Sequence, residues 1–132
     1  MKFPGKRHCK RLLPVFFALL LIFSALVLCS FTETDDYFRY TVEEDGSAVI
    51  VGYRGYDTSL TIPATVDGIP VKAVAATALY GNSIIRELTV SAGIGSIEKD
   101  AFAYCEKLSS VRFEDGSCNF IGEAAFEGCA LL

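Results

Sequence analysis

The sequence predicts a mainly β solenoid whose strands are joined by short helical or 3-10 turns, with a β-hairpin capping its N-terminal end and an apolar helical leader in front. Three observations lead there: an apolar stretch behind a basic N-terminus, a period-two pattern starting at Tyr37, and a self-similarity of 23 to 24 residues running from Val74 to Leu132. The 132 residues favour one domain with room for one core.

The leader comes first in the chain and divides its charge. The protein has 16 acidic and 12 basic side chains, and every acid lies after position 32. Lys2, Lys6, Arg7, Lys10 and Arg11 place five of the 12 basic residues in the first eleven, so residues 31–132 carry 7 − 16 = −9. Phosphate binding needs Lys and Arg clustered on the folded part, so no nucleic-acid partner is expected. From Leu12 to Phe31 the one ionisable group is the thiol of Cys29. A basic flank followed by an apolar run reads as an export segment, with the cationic end left in the cytoplasm.

The apolar run exceeds the ~7–15 residues of an ordinary cleaved signal and approaches the ~20 that span a bilayer. Three fates stay open for residues 1–31: a cleaved signal peptide, an uncleaved anchor holding residues 12–31 in the membrane, or lipidation at Cys29 despite the bulky Leu28 before it. In each case the rest of the chain faces outside, secreted or at the cell surface. Residues 32–36, Thr-Glu-Thr-Asp-Asp, read as an acidic linker, since a calcium loop would need alternating carboxylates, a Gly and a closing Glu.

Residues 37–73 read as the hairpin and a capping strand. Phe38, Tyr40 and Val42 alternate with Tyr37, Arg39 and Thr41, and Asp45-Gly46 precedes Ala48-Val-Ile-Val-Gly-Tyr53. Asp-Gly tolerates the positive φ of a tight turn, and β-branched and aromatic flanks fit a pleated surface. Leu60-Thr-Ile-Pro63 follows as a further strand. Tyr37, Tyr40, Tyr53 and Tyr56 are assigned to packing against a half-buried sheet.

Residues 74–132 repeat. The first copy (74–96) shows Val74, Ala78-Leu79, Asn82, Ile85, Leu88 and Val90, and the second (97–120) shows Ile97, Ala101-Phe102, Cys105, Leu108, Val111 and Phe113. The third (121–132), with Ile121, Ala125-Phe126, Cys129 and Leu132, is incomplete. A period in the low twenties is the signature of a leucine-rich-repeat solenoid, one strand and one helical or 3-10 return per coil. Strand alternation turns Leu88, Val90, Val111 and Phe113 inward. Ala-Leu or Ala-Phe places a small residue where backbones approach and a large one in the core. Thr77 and Asp100, directly before those pairs, are read as N-caps of the returns.

The segments Leu60-Thr-Ile-Pro-Ala-Thr-Val-Asp-Gly-Ile-Pro-Val71, Ile97-Glu-Lys-Asp-Ala-Phe-Ala-Tyr-Cys105 and Ile121-Gly-Glu-Ala-Ala-Phe-Glu-Gly-Cys129 resemble BspA-type leucine-rich repeats of bacterial surface proteins. The resemblance covers residues 37–132 and identifies the chain with the N-terminal part of such a solenoid. It implies a secreted or surface-displayed module for adhesion and protein recognition, with no catalytic residues and no cofactor of its own. Leu79 replaces the aromatic and Asn82 the Cys in the first copy.

One coil cannot bury its apolar face alone, and about three repeats are normally needed. Phe126, Leu131 and Leu132 have nothing over them in the sequence, so the open end is expected to be either a truncation or a surface that pairs with more solenoid. Cys105 and Cys129 share a repeat position; a disulfide is conceivable in an exported protein, but Asn82 in the same column favours a small buried side chain. Cys118 falls in the turn region after Asp115-Gly116-Ser117. The sole His, His8, is in the leader, which argues against Ser-His-Asp or Cys-His catalysis and against zinc. Glu98, Asp100, Glu106 and Glu123 are assigned to solvent-facing repeat positions, and Gly93, Gly95 and Gly68 to turns, without the further glycines of a phosphate loop.

The candidate binding face is therefore the outward side of the strands. Stacking the coils predicts three columns: Ser59, Glu87 and Ser110; Thr61, Thr89 and Arg112; Pro63, Ser91 and Glu114. From these, Glu87, Thr89, Ser91, Ser110, Arg112 and Glu114 are the expected contacts for a protein or host-surface ligand, with no small-molecule substrate. A structural stalk or N-terminal cap of a longer surface protein, with no ligand of its own, is the alternative role.

Overall fold

A computed structural model describes residues 37–132; the expected export leader and the acidic linker lie outside the described residues. Nine strands are found among these: β1 (Phe38–Val42), β2 (Ala48–Tyr53), β3 (Ser59–Ile62), β4 (Thr65–Val66), β5 (Ile69–Val74), β6 (Glu87–Val90), β7 (Ser96–Ile97), β8 (Ser110–Phe113) and β9 (Phe120–Ile121). The first two form the expected hairpin, antiparallel with Val42 opposite Ala48 and Phe38 opposite Tyr53. Its turn closes through the Gly46 amide donating to the Glu43 carbonyl at 3.0 Å, with Gly46 at φ 79°. Alternation in β2 buries Ala48 and Ile50 and leaves Val49 and Val51 half-buried, as a two-residue period requires.

Two sheets stack along the repeat axis. One runs β1-β2-β5-β7-β9, with β4 folded antiparallel onto β5 through the positive-φ pair Asp67 and Gly68. The other runs β3-β6-β8, parallel throughout. Each coil gives one strand to each sheet, and the space between is filled by Ile50, Ile62, Val74, Leu88, Ile97 and Phe102, all under 2% exposed. Only the second sheet follows from the Leu-x-Val pattern. The strands β5, β7 and β9 fall in positions the sequence reading left without strand structure.

The returns differ from expectation as well. Among the described residues there is no helix, because only every second amide bonds backward within the return. In the first coil Ala78, Tyr80 and Asn82 donate to the carbonyls of Ala75, Thr77 and Leu79. The intervening amides of Thr77, Leu79 and Gly81 donate across to Lys99, Ala101 and Ala103 of the next coil at 3.1, 2.8 and 2.8 Å. Asp100, Phe102 and Tyr104 repeat this onto Glu123, Ala125 and Glu127. Thr77 and Asp100 are accordingly not N-caps: each sits at φ 56°, as does Ala124 at 55°. That left-handed kink turns alternate amides toward the neighbouring coil.

Candidate interaction surface

The outward columns follow from strand register. Ser59 pairs with Glu87 and Glu87 with Ser110; Thr61 pairs with Thr89 and Thr89 with Arg112. The intervening residues Leu60, Ile62, Leu88 and Val90 are buried, so the first two columns face away from the core. Ser59, Thr61, Glu87, Ser110 and Arg112 are exposed, and Thr89 is half-buried. The Ser59 hydroxyl donates to the Glu87 carboxylate at 3.2 Å, tying the first column together.

The third column does not form a surface. Ser91 is only 9% exposed, because the strand ends at Val90 and the Ser91 amide turns in to donate to the Ile62 carbonyl at 3.2 Å. Pro63 is half-buried, and exposed Glu114 folds its carboxylate onto the Ala92 amide at 3.0 Å. The inward set also changes toward the C-terminus: Val111 is half-buried and Phe113 is 39% exposed, since no coil covers them.

A pair of aromatics lies on the return edge. Tyr80 and Tyr104 are 54% and 45% exposed, and their ring centroids are 5.4 Å apart. They escape a column-by-column reading because they occupy different columns: Tyr80 stacks with Ala103 and Glu127, Tyr104 with Gly81 and Gly128. Tyr104 stands at φ 58° where its two equivalents are glycines at 68° and 70°. Its ring lies where a Cβ on Gly128 would be, 2.5 Å from Cδ1. A diagonal comparison of adjacent coils would have found the pair. Near the hairpin, Tyr40 and Tyr53 pack as expected, Tyr53 against Phe38 at 5.0 Å, whereas Tyr37 and Tyr56 are 56% and 83% exposed and pack little.

Electrostatics on this part of the molecule are local. Lys72, with the hydroxyl and amide of Ser47, holds the Asp45 carboxyl well below the usual carboxylate range. Burial and the hydrogen bond to Asp57 push the Tyr53 phenol up to about 12. Glu98 and Asp100 are half-buried, Glu98 accepting from the Ser96 hydroxyl at 2.7 Å, while Glu106 and Glu123 are exposed.

The three cysteines of the described part are free thiols. Cys105 is fully buried and its thiol donates to the Leu79 carbonyl one coil back, at 3.3 Å; Cys129 makes the same bond to Phe102. Burial pushes the Cys105 thiol up to about 11 and raises that of Cys129. Asn82 in the same column acts differently, its Oδ1 accepting the amides of Ile84 and Ile85 at 2.9 and 3.0 Å.

Comparison with known proteins agrees with this geometry. The family model described as "BspA type Leucine rich repeat region (6 copies)" matches residues 72–132. No curated protein matches the chain in sequence. Among solved structures, a leucine-rich-repeat protein of T. pallidum is 29% identical with a TM-score of 0.70, covering 74% of this chain and 46% of its own. One from Bacteroides capillosus is 28% identical, with a TM-score of 0.59 over 65% of this chain and 67% of that one. A leucine-rich cell-surface protein of Faecalibacterium prausnitzii is 25% identical, with a TM-score of 0.68 over 75% of this chain and 28% of that one. The chain thus spans about half the length of the T. pallidum protein. With the period, the two sheets and the Ala-Phe-x-x-Cys returns in agreement, the chain belongs to the BspA-type leucine-rich-repeat proteins.

Proposed function

We propose that this chain is an exported, non-enzymatic repeat module that binds a protein on a host or neighbouring cell surface. The observation behind this reading is the in-register stacking of Ser59, Glu87, Ser110 and Thr61, Thr89, Arg112 on the outward face of β3-β6-β8. Such a rigid, repeated face offers shallow recognition spread over several coils. Arg112 is its one side chain of a type enriched in interface hot spots. The surface-protein character of the F. prausnitzii relative supports the same location here, and the basic-then-apolar leader of residues 1–31 supports export.

The reading is tested by applying the purified chain to cultured host-cell monolayers and comparing it with the double variant Thr89→Glu/Arg112→Glu. Binding should fall at least about tenfold, the order of one hot-spot loss, while the thermal unfolding curve stays unchanged because neither residue belongs to the core. Unchanged binding by the variant would move the site off this sheet. A structural role, as a stalk carrying other domains, would be favoured by no saturable binding for either form.

A further inference from the structure

The C-terminal end of the solenoid combines three features that the interior coil junctions use together. The first is a row of backbone donors. Thr77, Leu79 and Gly81 donate to the second coil, and Asp100, Phe102 and Tyr104 donate to the third. The next row is Ala124, Phe126 and Gly128, whose amides have no acceptor among the described residues. The second is a ring platform: Phe102 and Phe126 stack at 5.4 Å and 5°, and Phe126 keeps its other face half-open. The third is apolar surface confined to this end, with Phe113, Phe120, Ile121, Leu131 and Leu132 between 39% and 62% exposed.

We propose that this end face is an acceptor site for one further parallel coil of the same repeat type, and that it excludes a second copy of this chain. The occupant is defined by hydrogen-bond polarity. A parallel partner coil offers carbonyls at three alternate return positions, as Glu123, Ala125 and Glu127 do for the coil before them. It also brings an inward aromatic to the open face of Phe126 and a thiol or small donor to the Phe126 carbonyl, as Cys129 does for Phe102.

A second copy fails in both orientations. Tail to tail, the two-fold operation sets donors against donors, and buried unpaired amides are costly. Head to tail, β2 already pairs with β5 and β3 with β6, so the hairpin and β3 fill the place the incoming coil would need.

Amide hydrogen exchange on the full chain tests both parts. A duplicate of this chain's own residues 109–132, appended after Leu132, completes the third coil and adds a fourth return. Exchange at Ala124, Phe126 and Gly128 should slow by about tenfold or more, since exchange reports local opening. The same appended segment carrying Phe126→Ser should give back most of that protection. Unchanged exchange with the appended segment would overturn the acceptor site. For the unmodified chain, exchange at the three amides should not depend on protein concentration, and protection that grows with concentration would overturn the exclusion of a second copy.

Discussion

Cys105 shows how one side chain joins two coils. Its thiol is buried and donates to Leu79 of the preceding coil, so ionising it removes the donor and places a charge in the core. Burial raises its pKa to about 11, above the roughly 8.5 of a free thiol. A group whose folded pKa is raised contributes stability that is complete below the unfolded value and is lost as pH rises through the folded one. The urea midpoint should therefore fall between about pH 8.5 and 11. Cys105→Ser, which keeps a donor but does not titrate there, should show a shallower decline; parallel declines would mean that the exposed tyrosines account for the whole effect. The sequence already placed Cys105 inside and assigned it to packing. The hydrogen bond was not legible, because the equivalent Asn82 turns its oxygen to its own loop, and composition at a column does not say which neighbour a side chain will face.

At the scale of an element, the return is set by how closely successive backbones pass. A Cβ built on Gly122 would lie 2.5 Å from the Lys99 nitrogen and 2.7 Å from the Glu98 carbonyl carbon, and neither backbone atom can move without shifting the second return. Gly95 offers a control, since its nearest contact would be the Lys72 carbonyl oxygen at 3.6 Å and its φ is not positive. Gly122→Ala should lower stability by about 1–3 kcal/mol through overpacking. Gly95→Ala should change it by less than about 1 kcal/mol, with the reduced entropy of the unfolded chain favouring the variant. Urea unfolding of both variants checks this, and equal losses would show that coil spacing is not what Gly122 serves. The apolar period made the hairpin, the β3-β6-β8 sheet and its first two outward columns legible. It could not reveal β7 and β9, two residues each, or the left-handed Thr77 and Asp100, because a short polar residue before an Ala-Leu or Ala-Phe pair reads equally as a cap and as a kink. Ser91 misled for a related reason: alternation counts positions along a strand but not the point where the strand ends.

Across the whole molecule, stability should fall from the hairpin toward the third coil. Repeat proteins are held by nearest-neighbour interfaces, and only the third coil has a neighbour on one side alone. Phe102 and Phe126 measure this gradient because they occupy the same column, stack on each other, and differ in cover: Phe102 is fully buried, Phe126 half-buried. Phe102→Ala removes a ring enclosed by coils on both sides and should cost about 3–5 kcal/mol. Phe126→Ala removes a ring with one open face and should cost about 1–2 kcal/mol, in proportion to the smaller area it withdraws from water. Both losses should appear as shifts in urea midpoint at constant slope. In the wild-type chain, the amides of Ala125, Glu127 and Cys129 should exchange faster than those of Ala101, Ala103 and Cys105, their equivalents one coil back. Equal costs for the two substitutions, with equal exchange in the two coils, would mean that the molecule unfolds as one unit and that the end coil draws its stability from something other than stacking.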